Sequence, residues 1–381
     1  MKKVAIVYDR VNKWGGAERL LLALHKIFPD APLYTSVYSP KKAPWAQVFD
    51  VKTSFLQKFP FSSRHELYAP LMPFVFESFN FDKYDLVISV TSESAKGIIV
   101  KPGTTHISYL LTPTRYLWSG YREYFKNEWF KYLSYPIVLY LRFWDKIAAQ
   151  RPDAYFVISK EVQSRVKRYY KRDSKVVYPP VTLGSKKVSS IQYAVSSIEE
   201  KKKSKTEYRI PNTEYYLIVS RLVPYKRVDI AARAFNKLGF PLKIVGTGSQ
   251  ESTLKKMAKG NIEFLGHLTE RELLGYYQGC KCLVFCGKED FGLTILEANS
   301  FGKPVIAYKA GGALETVVEG KTGIFFDKAN PETLTQAITK FDKMSFNSKT
   351  CIARADKFGF RNFKNNFLSE LKGVPLKRGK K

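Results

Sequence analysis

The second half of the chain carries basic side chains at a spacing that suits a phosphorylated ligand. Arg221 and Lys226 stand five residues apart, at and just after the end of the apolar run 215–220. Because open α/β sheets bind ligands at the carboxyl ends of their strands, a guanidinium and an ammonium at this place predict a diphosphate site. The alternative is that they are two ordinary surface bases in a chain with 63 Lys and Arg residues.

Two acids, Glu289 and Glu297, stand eight residues apart around the start of a predicted helix. Glu289 falls in the loop after the apolar run 282–286, and Gly292 opens the helix that carries Glu297. The free N–H groups of a helix start favour a phosphate, and carboxylates beside them can accept hydrogen bonds from sugar hydroxyls. Glu289 could instead only favour the helix start. Glu297 stands among apolar neighbours, where a buried carboxylate needs a partner.

Glycines and cysteines nearby have both a chemical and a structural interpretation. Gly246 and Gly248 follow another apolar run and permit either close approach of a ligand or an ordinary strand–helix turn. Cys280, Cys282 and Cys286 lie in the tract CKCLVFC, which predicts a buried strand. Since no His or second Cys pair stands nearby to complete four ligands, we expect small apolar side chains in a reduced cytoplasm and no metal site.

The overall composition excludes a largely unstructured basic protein. The 381 residues are 45% hydrophobic and 15% aromatic, with a formal net charge of +29. This apolar fraction supports buried cores, and the length suggests two or three domains. The basic excess requires an anionic partner, either a nucleic acid, an anionic lipid or a phosphorylated substrate. The first apolar run ends at Tyr8 and no window approaches 18 uncharged apolar residues, so we expect no signal peptide and no membrane span.

Apolar runs alternate with helical patterns in both halves, which predicts an α/β fold with two Rossmann-like domains facing across a cleft. Continuous apolar runs are typical of parallel strands buried on both faces. The predicted domains are 1–182 and 207–350, joined by a flexible connection or solvated insertion at 183–206. The predicted strands are 3–8, 86–90, 105–111, 154–159, 215–220, 241–246, 262–266, 282–286 and 304–308. The predicted helices begin at Ala17 and include 135–150, 160–171, 228–238, 269–279 and 294–301.

The chain resembles the retaining glycosyltransferases of GT-B fold, the large family 4-like group that uses nucleotide sugars. The resemblance covers most of the chain and is closest to polysaccharide and O-antigen mannosyltransferases. It implies that the last helix, near 355–372, crosses back to the first domain before a basic tail at 373–381. The tracts that carry the resemblance are WGGAER (14–19), TPTRYLW (112–118), LRFWDKIAAQR (141–151), KVVYPPV (175–181), SRLVPYKRVD (220–229), IVGTGS (244–249) and 287–326.

The resemblance also implies roles for residues at the matching positions. Glu289 would contact the transferred sugar, and Glu297 would hold the ribose hydroxyls. Arg221 and Lys226 would bind the diphosphate and offset charge on the departing nucleotide, so that Glu289, Arg221 and Lys226 form the implied catalytic set. The other implied substrate contacts are Gly15 and Gly16 in the first domain and Gly246, Phe291, Gly292, Leu293 and Thr294 in the second.

The reaction implied is transfer of a mannose- or glucose-type hexose from a GDP-, UDP- or ADP-sugar with retention of configuration, the leaving phosphate acting as base. No cofactor or metal is expected, since no Asp-x-Asp motif is present and Arg221 with Lys226 can supply positive charge. Relatives often have His where this chain has Leu111. His106 would lie on the opposite face of an extended strand, so we do not expect it to replace that His. A donor-binding protein with weak or no activity and a GT-B nucleotide-sugar epimerase remain alternatives.

The first half holds a segment rich in aromatic and basic residues. Twelve of the 29 residues from Tyr116 to Trp144 are aromatic, and residues 160–205 hold 13 Lys and Arg against four acids. This pattern suits an anionic membrane that presents a lipid-linked or polysaccharide acceptor, although single-stranded nucleic acid and a solvated basic face are alternatives. We favour a cytoplasmic protein, peripheral on the inner face of the cell membrane, with no nucleic-acid partner. The docking surface predicted within 116–175 includes Lys167, Arg168, Lys171 and Arg172.

Overall fold

The computed structural model describes residues 3–61, 65–121, 128–183 and 214–375. The connection predicted at 183–206 lies outside these ranges except for Leu183, and the predicted basic tail lies outside them beyond Pro375. The chain divides into two compact units, called here the N-terminal unit (Met1–Pro180 with Arg361–Lys381) and the C-terminal unit (Val181–Phe360). Each unit carries one sheet of parallel strands.

The N-terminal unit is built on a seven-stranded sheet with the order β3-β2-β1-β4-β5-β6-β7. Strands β4 and β5 are buried at every residue, as expected for parallel strands covered on both faces. The strands are β1 (Val4–Tyr8), β2 (Leu33–Thr35), β3 (Val51–Thr53), β4 (Leu86–Thr91), β5 (Thr105–Leu110), β6 (Ala154–Val157) and β7 (Lys175–Val176). The helices are α1 (Gly16–Ile27), α2 (Met72–Glu77), α3 (Glu128–Ala148), α4 (Lys160–Tyr170) and the C-terminal α12 (Phe360–Lys372). Short 3-10 helices span Pro44–Val48, Phe55–Lys58, His65–Leu71 and Ala95–Gly97.

Aromatic packing fixes the C-terminal helix α12 to the N-terminal unit. The ring of Phe367 is fully buried, with its centroid 5.5 Å from that of Phe156 and 6.3 Å from that of Tyr109. Glu370 on the same helix forms a 2.6 Å ion pair with Lys175. Aromatic pairs at these separations add to the apolar area that they bury, so the last helix of the chain completes the first sheet's core.

The C-terminal unit is built on a six-stranded sheet with the order β10-β9-β8-β11-β12-β13. Its apolar strands pack against helices whose buried faces contribute to two clusters, one of which includes Phe235 and Ile338. The strands are β8 (Tyr215–Val219), β9 (Leu242–Val245), β10 (Ile262–Gly266), β11 (Cys280–Phe285), β12 (Val305–Tyr308) and β13 (Gly323–Phe326). The helices are α5 (Val228–Leu238), α6 (Glu251–Met257), α7 (Glu270–Gly279), α8 (Leu293–Ser300), α9 (Ala313–Thr316), α10 (Pro331–Asp342) and α11 (Ser348–Asp356), with a 3-10 turn at Pro224–Lys226.

In both sheets the order in which strands are added reverses beside the first strand. The candidate sites lie at this switch point. In the N-terminal unit β1 lies between β2 and β4, and in the C-terminal unit β8 lies between β9 and β11. The chain therefore builds outward on one side of the first strand and then crosses to the other side. Ligands of open α/β sheets bind at such a switch point, outside the carboxyl ends of the two strands that flank it.

The long apolar runs predicted as strands are confirmed as β1, β4, β5, β6, β8, β9, β10, β11 and β12. Helix α5 begins and ends at the residues that its pattern predicts. The patterns miss β2, β3, β7 and β13, which are two to four residues long. The two or three residues of β2, β3 and β7 are too few to show a period, and these strands form because a neighbouring strand already offers hydrogen bonds.

Candidate functional site

The switch point of the C-terminal sheet brings Lys226 and Glu289 into direct contact. Lys226 follows β8 and Glu289 follows β11, and these strands are neighbours. Lys226 Nζ and Glu289 Oε1 form an ion pair in which the two side chains are 11% and 21% exposed. A base predicted to bind phosphate and an acid predicted to bind sugar, 63 positions apart in the sequence, thus form one polar centre.

Glycines allow the loops around Glu289 to pack closely. A Cβ on Gly287 would lie 2.9 Å from the Cα of Lys226. Gly311 has a φ of +61°, and a Cβ there would lie 2.3 Å from the carbonyl oxygen of Glu289. The N–H of Gly312 donates to that carbonyl at 2.9 Å. The backbone of Glu289 is therefore held between the loops after β8 and β12. This fixes the position of the Cα from which the Glu289 side chain extends.

Arg221 lies at the solvent-facing side of the same loop as Lys226. Its Nη2 donates to the hydroxyl of Tyr225 at 2.5 Å, and the side chain is exposed. Lys226 Nζ lies 5.3 Å from the centroid of the Tyr225 ring and the Arg221 guanidinium 6.0 Å from it. The aromatic ring therefore contacts both cations, and one exposed and one half-buried positive charge are available to an anion.

The glycines after β9 fit closely against the loop that carries Arg221. Gly246 has a φ of +130°, and a Cβ there would lie 1.9 Å from the carbonyl oxygen of Ser220. A Cβ on Gly248 would lie 2.3 Å from the carbonyl oxygen of Leu222. Because any side chain would displace the 220–222 backbone, this Gly-x-Gly positions protein against protein at the site. This packing fits the ordinary strand–helix turn that the sequence offered as one of two interpretations of Gly246 and Gly248.

Helix α8 begins at the carboxyl end of β11, as its sequence predicts. Gly292 is its N-cap residue with a φ of +87°, and Leu293 and Thr294 begin the helix half-buried. Phe291, by contrast, is buried, and its ring centroid lies 5.7 Å from that of Phe358. Its ring therefore packs in the interior of the unit, which leaves only its backbone for the substrate contact implied by the resemblance.

Glu297 is buried on α8 and has the partner that its position requires. The Tyr277 hydroxyl donates to Glu297 Oε2 at 2.7 Å, and both side chains are buried. Tyr277 in turn stacks on Phe301 with ring centroids 5.7 Å apart. This hydrogen bond offsets part of the cost of burying the carboxylate, and it fixes the orientation of the Glu297 side chain.

Gly15 and Gly16 belong to the N-terminal unit, in the loop after β1. Gly15 is the N-cap residue of α1, and a Cβ there would lie 3.2 Å from Glu18 Oε2. Glu18 is buried and accepts a 2.6 Å hydrogen bond from the Tyr8 hydroxyl. Glu18 thus fixes the end of the loop that joins α1. Because the loop follows β1, it lies at the switch point of the N-terminal sheet.

Sequence inspection misses a second polar centre at the switch point of the N-terminal sheet. Arg10 Nη1 pairs with Glu93 Oε1, with both side chains at most 22% exposed. Asp9 beside it is buried and accepts hydrogen bonds from the backbone N–H groups of residues 92–95. Burial, followed by the charge of Glu93, raises the pKa of Asp9. The signal in the sequence is an Asp-Arg pair directly after the first apolar run, which is weak by itself.

The position that departs from the resemblance lies beside this second centre. The Leu111 N–H donates to the Thr91 carbonyl at 2.8 Å, at the carboxyl ends of β5 and β4. His106 is fully buried within β5, where its Nε2 lies 2.8 Å from Ser89 Oγ. The imidazole therefore lies inside the sheet rather than at its carboxyl end.

The cysteines lie in the core of the C-terminal unit. Cys280, Cys282 and Cys286 are buried, as the strand prediction for CKCLVFC requires, and Cys351 is buried as well; all four are free thiols. Burial raises the pKa of the Cys280 and Cys286 thiols to about 12, so these thiols are neutral near pH 7. Over the described ranges, no three His, Cys, Asp or Glu side chains are grouped so as to hold a metal ion. Within the same ranges, no helix is both long and apolar enough to cross a membrane.

A protein-family model matches the part of the chain that contains the C-terminal switch point. Residues 199–358 match the family model described as glycosyl transferases group 1. These residues form a glycosyltransferase group 1 domain. The domain contains both switch-point residues Lys226 and Glu289, as well as Arg221 and Glu297. The predicted resemblance to family 4-like GT-B glycosyltransferases is confirmed.

Two curated proteins match part of the chain. An uncharacterised glycosyltransferase of Methanocaldococcus jannaschii is 27% identical over 202 residues, 52% of each chain. A GDP-mannose-dependent alpha-(1-6)-phosphatidylinositol monomannoside mannosyltransferase of Mycolicibacterium smegmatis is 30% identical over 149 residues, 34% of this chain and 39% of that protein. The matches thus span about half or less of these relatives' lengths.

A solved structure establishes the fold of the chain. The Anabaena protein HepE, crystallised with UDP and glucose, superposes with a TM-score of 0.70 at 20% identity, covering 98% of this chain and all of that one. At that identity the likeness carries the fold alone. The α/β GT-B fold class predicted from the sequence is confirmed.

Glu297→Gln is expected to weaken binding of the nucleoside diphosphate about tenfold without unfolding the protein. The amide oxygen can still accept from Tyr277, so the core hydrogen bond persists. A hydrogen bond from a ribose hydroxyl to a charged carboxylate is worth about 1.5–3 kcal/mol, and part of this is lost with the charge. Calorimetric titration with GDP and UDP measures the effect. Tyr277→Phe is the matched control, since it removes the supporting hydroxyl and keeps the carboxylate; equal affinity in wild type and Glu297→Gln would exclude the ribose role.

Proposed function

We propose that the protein transfers a hexose of mannose or glucose type from a nucleoside-diphosphate sugar to a lipid-linked or polysaccharide acceptor, with retention of anomeric configuration. The observation that carries the proposal is the Lys226–Glu289 pair at the switch point of the group 1 domain. Two similar proteins support the donor class, since one is GDP-mannose-dependent and another was crystallised with UDP and glucose. GDP- and UDP-hexoses are therefore the first donors to test.

The chemistry at this centre follows from the charges present. Arg221 and Lys226 together supply two positive charges for the diphosphate, and their attraction increases as negative charge develops on the departing phosphate. Lys226 must exchange part of its contact with Glu289 for the phosphate, which leaves a Glu289 oxygen to accept a sugar hydroxyl. The leaving phosphate itself takes the acceptor proton on the same face of the sugar, so no enzymic nucleophile is assigned.

A metal is not part of this proposal. The two cations offer charge where a divalent ion would otherwise stand, and the expectation from the sequence is that transfer proceeds without one. The test is transfer activity after dialysis against EDTA, compared with the same sample after addition of Mg²⁺ or Mn²⁺. Loss in EDTA with recovery on addition would overturn the metal-free mechanism.

Product analysis tests the transfer itself. The full chain is incubated with GDP-mannose, UDP-glucose or ADP-glucose and a membrane lipid extract, and the products are separated and examined by NMR. A new glycosidic bond with the donor's anomeric configuration is the expected result. An isomerised sugar nucleotide would support the epimerase alternative. Donor binding without turnover on any acceptor would support the binding-protein alternative, for which Leu111 is the motivation.

We place the acceptor at the second polar centre, where Arg10 and Glu93 meet. Glu93→Gln is expected to raise the acceptor KM about tenfold, a loss of about 1.4 kcal/mol, and to leave slow hydrolysis of the donor unchanged. The reason is that Glu93 belongs to the N-terminal unit, whereas the proposed donor contacts Arg221, Lys226 and Glu289 belong to the C-terminal unit. Asp50→Asn, which breaks the exposed pair with Lys52, is the matched control. An unchanged acceptor KM, or an equal loss of donor hydrolysis, would remove Glu93 from the acceptor site.

A further inference from the structure

Helix α3 of the N-terminal unit presents large apolar side chains to solvent along its whole length. Nine of its described residues are large and apolar and are between 40% and 80% exposed. Apolar residues scattered singly on a surface need no explanation, but a contiguous set on one helix does. The nine are Trp129, Tyr132, Leu133, Tyr135, Ile137, Leu139, Tyr140, Phe143 and Ile147.

The inner face of α3 already accounts for its attachment to the fold. Val138, Leu141, Trp144 and Ala148 are buried against the unit. Below them, Lys96 Nζ and Asp145 Oδ1 form a 2.5 Å ion pair from which solvent is excluded. A surface helix ordinarily turns charged side chains outward opposite such a face. The outer apolar residues of α3 are therefore not explained by folding of this unit.

A second segment, next to α3, also exposes large apolar side chains. Leu67 and Phe74 are 64% and 58% exposed, and they flank the start of α2. This segment lies against α3, because Trp144 Nε1 donates to Glu77 Oε1 at 2.8 Å and Ala69 packs on the cluster of Leu117, Val138 and Leu141. Leu67 and Phe74 together with the nine residues of α3 are called the apolar surface below.

We propose that the apolar surface inserts into the interface of an anionic phospholipid bilayer, with α3 lying in the membrane plane. The inference rests on the proposed function, since it brings the acceptor-binding unit to a surface that can present a lipid-linked acceptor. Trp and Tyr side chains prefer the depth of the headgroups, because their rings are apolar and their N–H and O–H groups stay hydrated. Interfacial helices bind through buried apolar area together with attraction to anionic lipids.

Charge decides between a bilayer and a second copy of the chain as the occupant. Lys131 and Lys146 lie on α3, each directly before an exposed residue of the apolar surface, and the whole chain carries +29. Two such chains repel each other, whereas an anionic leaflet attracts basic groups by about 1 kcal/mol for each one near the surface. Charge complementarity therefore favours the lipid surface.

The structure changes which residues of the region carry the docking. Arg172 is not a free surface base, since it donates to the carbonyls of Ala149, Gln150 and Pro152 beyond the end of α3. Lys167 pairs with Asp173 at 2.7 Å. Replacing the four bases at 167, 168, 171 and 172 by Glu would therefore disturb the fold as well as the surface charge. The apolar surface is the better target.

Co-sedimentation of the full chain with vesicles tests the proposal. The test variant is Trp129→Ser/Leu133→Ser/Phe143→Ser, whose side chains are 69–80% exposed in the wild type. We expect wild type to bind phosphatidylglycerol–phosphatidylcholine vesicles and the triple variant to bind at least tenfold more weakly. Ile99→Ser in the same unit and Leu314→Ser in the other, both at 53% exposed positions, are matched controls that should bind as wild type does.

The outcomes separate this inference from the proposed function. The triple variant should bind GDP and UDP, measured by calorimetry, as tightly as wild type does. Loss of nucleotide binding in the variant alone would show that it is misfolded, whereas absence of nucleotide binding in wild type as well would overturn the proposed donor site. Equal vesicle binding by wild type and triple variant, or none by wild type at low salt, would overturn the bilayer proposal. A wild-type dimer in light scattering that the triple variant loses, with no vesicle binding, would identify a second copy as the occupant.

Discussion

Glu289→Gln is expected to lower the rate of sugar transfer about 100- to 1,000-fold while the affinity for the nucleoside diphosphate stays equal to that of wild type or rises. Loss of one preorganised polar group at a reacting centre typically costs that much in turnover. The affinity for the diphosphate is not lowered, because Lys226 has no carboxylate partner in the free variant and so does not have to give up an ion pair when it binds the phosphate. Steady-state kinetics with the donor and calorimetry with GDP and UDP measure the two quantities separately.

The control for this variant is a pair of the same chemistry elsewhere in the unit. Lys243 and Glu263 form a 2.5 Å ion pair between β9 and β10, away from the switch point. Glu263→Gln should leave both rate and affinity unchanged. If Glu289→Gln lost affinity for the nucleoside diphosphate as strongly as it lost rate, Glu289 would be a determinant of the diphosphate site rather than a group that acts on the transferred sugar.

Lys226→Met is expected to lower both the rate of transfer, by about 100- to 1,000-fold, and the affinity for the nucleoside diphosphate, by about tenfold or more. Methionine keeps much of the length and packing of the lysine stem but removes the charge that offsets the leaving phosphate. The expected loss in folding stability is about 1–3 kcal/mol, because both side chains are mostly buried and the Glu289 carboxylate loses its partner. Calorimetry, donor kinetics and urea unfolding give the three values.

The double variant Lys226→Met/Glu289→Gln tests whether the two residues act as one centre. Groups that act as a unit give strongly non-additive losses. We therefore expect the double variant to be little slower than Lys226→Met alone. Additive losses would mean that the two side chains contribute independently. Lys243→Met, which leaves its partner Glu263 more exposed than Glu289, is the control for loss of a paired lysine in this unit.

Local sequence determined the elements that carry the site. Continuous apolar runs such as 86–90 and 282–286 need no information from the rest of the chain, since such runs are typical of strands buried between two layers of helices. Gly292 before an apolar helix likewise fixes where α8 begins, because only glycine adopts the φ of that residue at little cost. The loops that hold Arg221, Lys226 and Glu289 follow directly from these boundaries.

The sequence also determined that Glu297 must have a partner, but not which one. The carboxylate stands among apolar neighbours, and burial without a hydrogen bond is costly. Tyr277, its donor, lies 20 positions earlier on a different helix, and nothing in its local pattern distinguishes it from the other tyrosines. Similarly, Phe291 stands within the most informative motif of the chain, yet its ring faces Phe358 in the interior.

Only the tertiary structure decided which charges meet and which apolar residues stay outside. Lys226 contacts Glu289, and Arg10 contacts Glu93, because the strand order places β8 beside β11 and β1 beside β4. Strand order depends on contacts between residues far apart in the chain, so local spacing cannot reveal it. The outer face of α3 shows the same limit. Its residues have the composition of a core, and only the packing of Val138 and Leu141 on the inner side shows that the opposite side is left to solvent.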